Sequence, residues 1–158
     1  MMTSQTLNPK VVALDEVSVL NFPGGEQISI PLSREDTGGA FTLFRGTMPP
    51  NAGSSLHVHR FEDEVIYILQ GEITIKVGDD SYTAKAGTVA LLPKGIPHAH
   101  HNHSDQEAHI FVIATPSGFE GFITESFALM TAAEPDMEAL GALSAKYGIE
   151  MTGNPAHA

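Results

Sequence analysis

The feature that most constrains the fold of this chain is the close spacing of glycine and proline through its first two thirds. Between them lie short segments rich in β-branched and aromatic residues, the clearest of which are 41–44, 65–69, 73–77, 88–92 and 110–114. Short strands separated by turn residues at such intervals are typical of a β-sandwich or barrel. The sequence therefore predicts an all-β fold, with a hairpin of 65–69 and 73–77 around Gly71 and a further turn within 77–82.

The last third of the sequence has a different periodicity. In the segments 119–130 and 137–147, Phe, Leu, Met and Ala recur at helical intervals. Pro135 and Asp136 are typical of a helix start, and Gly148 is a suitable C-terminal cap. We expect these two helices to pack on the outside of the β-domain or to cover one of its openings.

The length of the chain, 158 residues, suits one domain with a sizeable core. No repeat, low-complexity tract or long linker divides it. We therefore expect a single domain over 1–158, with the β-barrel core over about 11–116 and a C-terminal helical extension over about 117–150.

The charge balance and the lack of cysteine exclude several classes of function. The chain has 8 basic and 19 acidic residues, a net charge of −11 with neutral histidines, and no cysteine. Such an acidic surface repels phosphate backbones and anionic lipids, so we expect no nucleic-acid and no membrane partner. No apolar run reaches the roughly 20 residues that span a bilayer, and no signal peptide is evident, which favours a cytoplasmic protein. Without cysteine, disulfides, thiolate metal sites and cysteine nucleophiles are excluded.

Three histidines and a glutamate are spaced in a way that suits a metal ion. His57 and His59 are two residues apart, so on a strand both side chains face the same side. Glu64 can face the same point only if a turn or bulge within 60–63 resets the alternation. His98 follows a glycine–proline turn, and three imidazoles with one carboxylate are a natural ligand set for a divalent transition metal. The alternatives are surface histidines, an exposed acidic turn and a solvated polar turn.

Two spaced motifs make the chain resemble the cupin family. The first family motif is G-x5-H-x-H-x3–4-E-x6-G, which is matched by His57, His59, Glu64 and Gly71. The second is G-x5-P-x-G-x2-H-x3-N, which is matched at every position, by Gly87, Pro93, Gly95, His98 and Asn102. The leading glycine of the first motif is replaced by Asn51, which tolerates a positive φ better than most other residues.

The resemblance implies a cupin double-stranded β-helix, that is, a jelly-roll barrel with the C-terminal helices packed on its outside. It also implies one divalent transition metal, from among Fe, Ni, Mn, Co, Cu and Zn, with the ligands His57, His59, Glu64 and His98. The segments 114–122 and 145–150 are similar to the tail of bacterial single-domain cupins that resemble quercetin 2,3-dioxygenase.

The function implied by this resemblance is a metal-dependent dioxygenase that cleaves a flavonol-like or other enolic or phenolic small molecule with O₂. Four protein ligands leave one or two positions open on a five- or six-coordinate metal. Glu64 is then both ligand and general base, although a carboxylate on a cation is a poor base by default. A flat phenolic substrate requires an apolar pocket. The candidate pocket residues are Phe44, Ile66, Ile68, His100, Phe111, Phe119 and Phe122.

Other functions remain open from the sequence. One is a non-catalytic cupin that binds a metal and a small ligand. Another is a cupin isomerase, epimerase or decarboxylase acting on a sugar or small acid, although few Lys or Arg residues lie near the motifs. The resemblance also predicts a homodimer, because many cupins exchange or align N-terminal strands and the segments 11–14 and 17–20 are apolar enough to form one.

Overall fold

Two β-sheets and two long helices near the C-terminal end make up the described part of the chain. A computed structural model of the protein describes residues 7–153, and the ends of the predicted domain, 1–6 and 154–158, lie outside the described residues. The strands are β1 (Val19–Asn21), β2 (Gln27–Leu32), β3 (Thr42–Met48), β4 (His57–His59), β5 (Asp63–Gln70), β6 (Glu72–Val77), β7 (Asp80–Lys85), β8 (Val89–Leu92), β9 (His98–His101), β10 (Ala108–Thr115) and β11 (Ile149–Met151). The helices are α1 (Arg34–Thr37), α2 (Phe119–Met130) and α3 (Met137–Lys146).

The strands form two antiparallel sheets. The six-stranded sheet has the order β1-β2-β3-β10-β5-β8, and the five-stranded sheet has the order β11-β4-β9-β6-β7. Alternate residues of both sheets point inwards and form the core. Its fully buried members include Ile66, Ile68, Ile73, Ile75 and Leu92. The predicted all-β jelly roll with C-terminal helices is confirmed.

The predicted hairpin around Gly71 is wrong. β5 and β6, on either side of Gly71, lie in different sheets. A Cβ atom on Gly71 would lie 2.8 Å from the carbonyl oxygen of Glu107, and the φ of Gly71 is +79°. The missing side chain thus lets the chain pass close to the start of β10 as it crosses between the sheets. The turn predicted within 77–82 is confirmed, because β6 and β7 pair with Val77 opposite Asp80.

Both predicted helices are present. α2 covers the predicted segment, and α3 begins after Asp136, whose carboxylate accepts a hydrogen bond from the backbone N–H of Ala139 at 2.9 Å. Gly148, with a φ of +68°, follows the end of α3. Within residues 7–153, no helix is both long and apolar enough to cross a membrane.

The chain returns to the β-structure after α3, which the sequence pattern did not predict. β11 lies at the end of the segment that was expected to be helical, and it pairs with β4. Ile149 lies opposite His59 and Met151 opposite His57 in this pairing. Three residues are too few to show an alternation, so only the pairing partner defines this strand.

The N-terminal segment pairs within its own chain. Residues 14–16 form a 3₁₀ turn, 11–14 contributes no strand, and β1 pairs with β2. Val11 is fully exposed, with 100% of its surface accessible. The predicted homodimer stays a prediction.

Candidate metal centre

Four side chains from three strands meet inside the molecule. His57 and His59 project from β4 on the same side, because alternate residues of a strand share a face. β4 pairs with β9 at His57 and His98, so the third imidazole enters beside the first. Glu64 comes from β5 in the opposite sheet. One ligand atom from each of these four buried residues lies within 4.8 Å of the other three.

A change of sheet between His59 and Glu64 produces this convergence. After β4 the chain turns through 60–62 and enters β5, whose inward row begins at Glu64 and continues with Ile66 and Ile68. The alternation is therefore reset by a corner between the two sheets. A bulge within one strand, which the sequence also allowed, is not needed.

Two asparagines shape the turns that flank the cluster. Asn51, at the position of the motif glycine, has a φ of +67°, which is the conformation expected there. The side-chain amide of Asn102 donates to the carbonyl oxygens of Met48 at 2.9 Å and Gln106 at 2.7 Å. These bonds close the turn after β9 and so hold the strand that carries His98.

Hydrogen bonds at the outer ring nitrogen orient two of the imidazoles. Nδ1 of His57 donates to the carbonyl oxygen of Ser55 at 2.7 Å, and Nδ1 of His98 donates to that of Ile96 at 3.0 Å. A neutral imidazole carries one ring proton, so these contacts assign it to Nδ1 and leave Nε2 as an acceptor.

Glu62 orients the third imidazole, and sequence analysis missed it as a site residue. Its Oε2 lies 3.4 Å from Nδ1 of His59, and its side chain is buried. A carboxylate behind a ligating histidine fixes the ring and makes its other nitrogen a stronger ligand. The available signal was its position three residues after His59, inside the spacer of the first motif.

The inward-facing atoms form an electron-rich cluster. Nε2 of His57 and Nε2 of His59 lie 3.1 Å apart, and Nε2 of His98 lies 3.3 Å from a carboxylate oxygen of Glu64. Nε2 of His98 is buried and makes no hydrogen bond. Acceptors this close, with their protons on the outer nitrogens, repel one another, and a cation between them removes that repulsion. The cluster therefore fits a divalent transition metal with three nitrogen ligands and one oxygen ligand.

Burial and mutual contact shift the pKa values of His57 and Glu64 within the cluster. Burial lowers the pKa of His57 to about 4, despite its hydrogen bond to Ser55, so this imidazole is neutral near pH 7. Burial alone would raise the pKa of Glu64, but its contact with His98 and its proximity to the imidazoles of His59 and His57 lower that pKa to about 2. Neutral imidazoles and an ionised carboxylate are the forms that bind a metal.

A cavity of about 380 Å³ opens onto the cluster and has a mostly apolar wall. His57 and Glu64 form part of that wall. Four of the predicted pocket residues also line it: Phe44, His100, Phe119 and Phe122. The helices and β11 supply further apolar lining residues: Ile123, Met130, Leu140, Ile149 and Met151. Among the described residues that line the cavity, none is Lys or Arg.

Three of the predicted pocket residues do not line this cavity. Ile66 and Ile68 are fully buried in the apolar core between the sheets. Phe111 lies between Ile110 and Val112, which both line the cavity, so strand alternation turns Phe111 to the outer face. Apolar or aromatic character alone does not distinguish a core residue from a cavity-lining residue, nor one strand face from the other.

Phe119 connects the histidine cluster to the cavity wall. Its ring centroid lies 4.7 Å from that of His59 and 5.6 Å from that of Phe44, both in edge-on geometry. It also stacks on Phe122 at 5.5 Å. Because Phe119 and Phe122 are one turn apart on α2, this helix covers the opening of the sandwich above the cluster.

His100 projects from β9 into the cavity, two residues beyond His98 and therefore on the same face. Its Nδ1 is buried and has no hydrogen-bond partner, and burial lowers its pKa. The other described histidines, His101, His103 and His109, do not line the cavity. His100 is thus a neutral imidazole with one free ring nitrogen next to the candidate metal centre.

A second carboxyl group in the cavity wall was also missed. Glu26, directly before β2, lines the cavity, and burial raises its pKa to about 7. The available signal was an acidic residue in phase with the apolar Ile28 and Ile30 of β2.

Comparison with known proteins gives one family match and one curated relative. The family profile described as "Cupin domain" matches residues 44–114. The polyketide synthase CurC from Streptomyces cyaneus is 25% identical over 112 residues, which cover 70% of this chain and 71% of the relative.

Solved structures share the fold. A predicted oxalate decarboxylase from Thermotoga maritima has a TM-score of 0.62 and 25% identity, covering 68% of this chain and 99% of that chain. The polyketide cyclase RemF from Streptomyces resistomycificus has a TM-score of 0.61 and 22% identity, covering 70% of this chain and 81% of that chain. At 22% identity, the second likeness shows the fold alone.

Proposed function

This chain carries a cupin domain and belongs to the cupin superfamily, and from that premise we propose that it is a metal-dependent enzyme acting on an apolar, enolic or phenolic molecule of the polyketide type. The single observation that carries the proposal is the mostly apolar cavity that opens onto the four-residue cluster. Such a cavity binds a flat hydrophobic molecule and directs one of its oxygen atoms to the cluster.

The composition of the cavity wall argues against small anionic substrates. A dicarboxylate or a sugar phosphate is best bound by cationic side chains, and no Lys or Arg among residues 7–153 lines this cavity. Within the described residues, such a substrate would find no cation besides the metal. The wall therefore supports an aromatic or polycyclic substrate over the acids and sugars that the sequence left open.

The similarity to CurC supports a polyketide-type substrate. Aromatic polyketides combine flat apolar rings with acidic enol or phenol oxygens. The rings match the phenylalanine-rich wall formed by Phe44, Phe119 and Phe122, and an oxygen anion matches the cluster.

Different residues of the chain have different proposed roles in metal binding, proton transfer and exclusion of water. The metal would be held by His57, His59, Glu64 and His98, and the outer contacts of the three imidazoles fix their rings. When bound, the metal acts as a Lewis acid that stabilises negative charge on a substrate oxygen. The imidazole of His100, which lines the cavity, is the proposed hydrogen-bond partner and proton acceptor for the substrate. Phe119 and Phe122 exclude water from the reacting end.

The reaction that we propose first is cyclisation through an enolate. His100 accepts a proton from the carbon between two carbonyl groups, and that carbon attacks a third carbonyl of the same molecule. A C–C bond forms, the carbonyl oxygen takes up a proton, and loss of one water then gives an aromatic ring. No oxidant is needed, and the similarity to a polyketide synthase supports this order of preference.

Cleavage of the same enol by O₂ is the second candidate. Four protein ligands leave open positions for further ligands, as a dioxygenase requires. The cupin resemblance implies Glu64 as the base that takes the enolic hydroxyl proton in this reaction. The pKa of Glu64, about 2, makes its carboxylate a weak base, so we propose His100 as the better proton acceptor.

One experiment separates the candidates. Purified protein is loaded in turn with Fe, Mn, Ni, Co, Cu or Zn and incubated with poly-β-ketone mimics and with a flavonol panel, under argon and under air. Loss of one water under argon supports cyclisation, and uptake of O₂ into the product under air alone supports the dioxygenase. Full metal loading without conversion of any substrate refutes both reactions and favours a binding protein.

Matched variants control for the metal. His98→Ala removes a candidate ligand, whereas His103→Ala removes a histidine outside the cavity. We expect the first variant to lose both metal and turnover and the second to keep both. Turnover by metal-free His98→Ala at the wild-type rate would refute the proposed site.

A further inference from the structure

Glu26 occupies an unexpected position for an acidic residue. It directly precedes β2 and shares a face with Ile28, which also lines the cavity. Its carboxyl group therefore belongs to the wall of the apolar cavity. Glu64 reaches the same cavity from β5. In the six-stranded sheet, β2 and β5 are three strand spacings apart, roughly 14 Å.

The carboxyl group of Glu26 has no partner in the part of the chain that the structure describes. No side-chain hydrogen bond or ion pair reaches it from residues 7–153. Its neighbours on β3 that line the cavity, Gly46, Thr47 and Met48, are uncharged. Leaving a carboxyl group in an apolar wall without a partner costs free energy, so its presence calls for a functional explanation.

Within residues 7–153, no charged group compensates for this burial. The other titratable groups of the cavity are His57, Glu64 and His100, and the lining residues of α2, α3 and β11 are all uncharged. Burial is the sole cause of the raised pKa of Glu26, about 7, and none of these groups contributes to it. Near neutral pH the side chain is therefore present partly as the neutral acid.

We propose that Glu26 is a specificity-determining residue whose neutral carboxyl group donates a hydrogen bond to a carbonyl oxygen of the substrate, at the end opposite to the oxygen that meets the histidine cluster. The proposal rests on the proposed function for the class of substrate, a flat polycyclic molecule with oxygens at both edges. The two anchors would fix the direction in which the molecule lies in this mostly apolar cavity.

The direction in which substrate selectivity changes with pH follows from the protonation of the Glu26 carboxyl group. Below pH 7 the carboxyl group is neutral and donates its proton to a carbonyl oxygen. Above pH 7 it becomes an anion, which can only accept, and the carbonyl oxygen has no proton to give. Selectivity for a substrate with a carbonyl at the far edge should therefore be present at pH 6 and lost at pH 8.

A matched pair of probes tests this directly by binding. In 1,8-dihydroxyanthraquinone, one edge has phenol oxygens and the opposite edge has a carbonyl group. In 1,8-dihydroxyanthrone, that far carbonyl is a CH₂ group. Both are titrated into the Zn²⁺-loaded full chain under argon. One net hydrogen bond predicts that the wild-type protein prefers the anthraquinone roughly 2–10-fold at pH 6 and shows no preference at pH 8.

Variants of Glu26 supply the decisive comparison. Glu26→Gln keeps a donor that does not titrate, so its preference for the anthraquinone should persist at both pH values. Glu26→Leu has no donor and should show no preference at either pH. Glu16→Gln, at an exposed position outside the cavity, should behave as wild type. The ratio of two affinities on one protein does not depend on the folded fraction, so a loss of stability does not obscure the result.

The outcomes separate the two proposals. A Glu26→Leu protein that keeps the wild-type preference, a wild-type preference that does not change with pH, or failure of both probes to bind overturns the role of Glu26. If these occur while the enzyme still converts its substrate, the proposed function stands. The predicted preferences without conversion of any substrate support Glu26 as an anchor and overturn the proposed enzyme.

Discussion

Oε2 of Glu62 lies 3.4 Å from Nδ1 of His59, on the side of the ring that faces away from the other three residues of the candidate metal centre. Both side chains are buried, so this contact holds the imidazole in one orientation. We expect Glu62→Gln to weaken metal binding by about 10–100-fold while the protein stays folded. Competition with a chelator measures the dissociation constant.

The matched control for Glu62 is Glu72→Gln. Glu72 pairs with Lys85 on the surface and is far less buried. Unchanged metal affinity in Glu62→Gln, or an equal loss in Glu72→Gln, would show that the contact with His59 is not what sets the affinity.

Phe119 should contribute more to ligand binding than Phe127, which lies on the same helix. Phe119 lines the cavity and its ring contacts His59 and Phe44. Phe127 instead packs against Phe22 at 5.3 Å and does not line the cavity. We expect Phe119→Ala to weaken binding of 1,8-dihydroxyanthraquinone by about 3–10-fold, as loss of an aromatic pair predicts. Phe127→Ala should lower stability without this effect. Isothermal titration compares the two, and equal affinities would contradict the role of α2 as a cover.

A comparison of Gly71 with Gly87 tests whether the chain needs a glycine where it crosses from β5 to β6. Both have a positive φ, +79° and +89°, but a Cβ atom would meet the backbone of Glu107 at Gly71 and nothing within 4 Å at Gly87. We expect Gly87→Ala to lower the free energy of unfolding by about 1 kcal/mol from backbone strain alone. Gly71→Ala should cost about 2–3 kcal/mol, because it adds a contact with backbone that cannot move easily. Urea unfolding measures both, and equal losses would mean that the corner tolerates a side chain.

Asp36 gives a prediction for stability at low pH. Its carboxylate accepts hydrogen bonds from Lys10 at 2.7 Å and from the backbone N–H of Ser33 at 2.8 Å, and the former above all lowers its pKa to about 2. Since this pKa lies below the usual value of 3.8, the stabilisation is complete above about pH 4 and is lost as the pH falls through 2. Asp36→Asn should therefore lower stability by on the order of 1 kcal/mol at pH 7 and by clearly less at pH 2, where the carboxyl group is already half protonated in the folded state. Thermal unfolding at both pH values checks this, and a loss that is the same at both would contradict it.

The homodimer predicted from the N-terminal segment can be tested at Val11, whose side chain is fully exposed in the single chain. If a second copy covers it, light scattering of the full chain should give about twice the 16.8 kDa mass. Val11→Asp should then shift the mass towards the monomer, whereas Asp15→Asn should not. A monomeric mass for the wild-type chain at micromolar concentration would contradict the prediction.

The sequence alone determined those features of the protein that depend on residues close together in the chain. The alternation of residues in short strands fixed the all-β class, the helical periods fixed α2 and α3, and the spacing of His57 and His59 put two imidazoles on one face. These features depend on neighbours a few residues apart, so local geometry is enough to predict them. The motif spacing also pointed to Glu64 and His98, although it did not show how the chain brings them there.

Only the tertiary structure decided what surrounds the cluster. The hairpin expected at Gly71 is a crossing between sheets, because the backbone of β10 lies against that glycine. Phe111 faces outwards, Glu26 lines the cavity and Glu62 contacts His59 of the cluster, because strand pairing and sheet order set their depth and direction. Which side chains share a cavity depends on contacts between residues far apart in the chain, and no local pattern records those contacts.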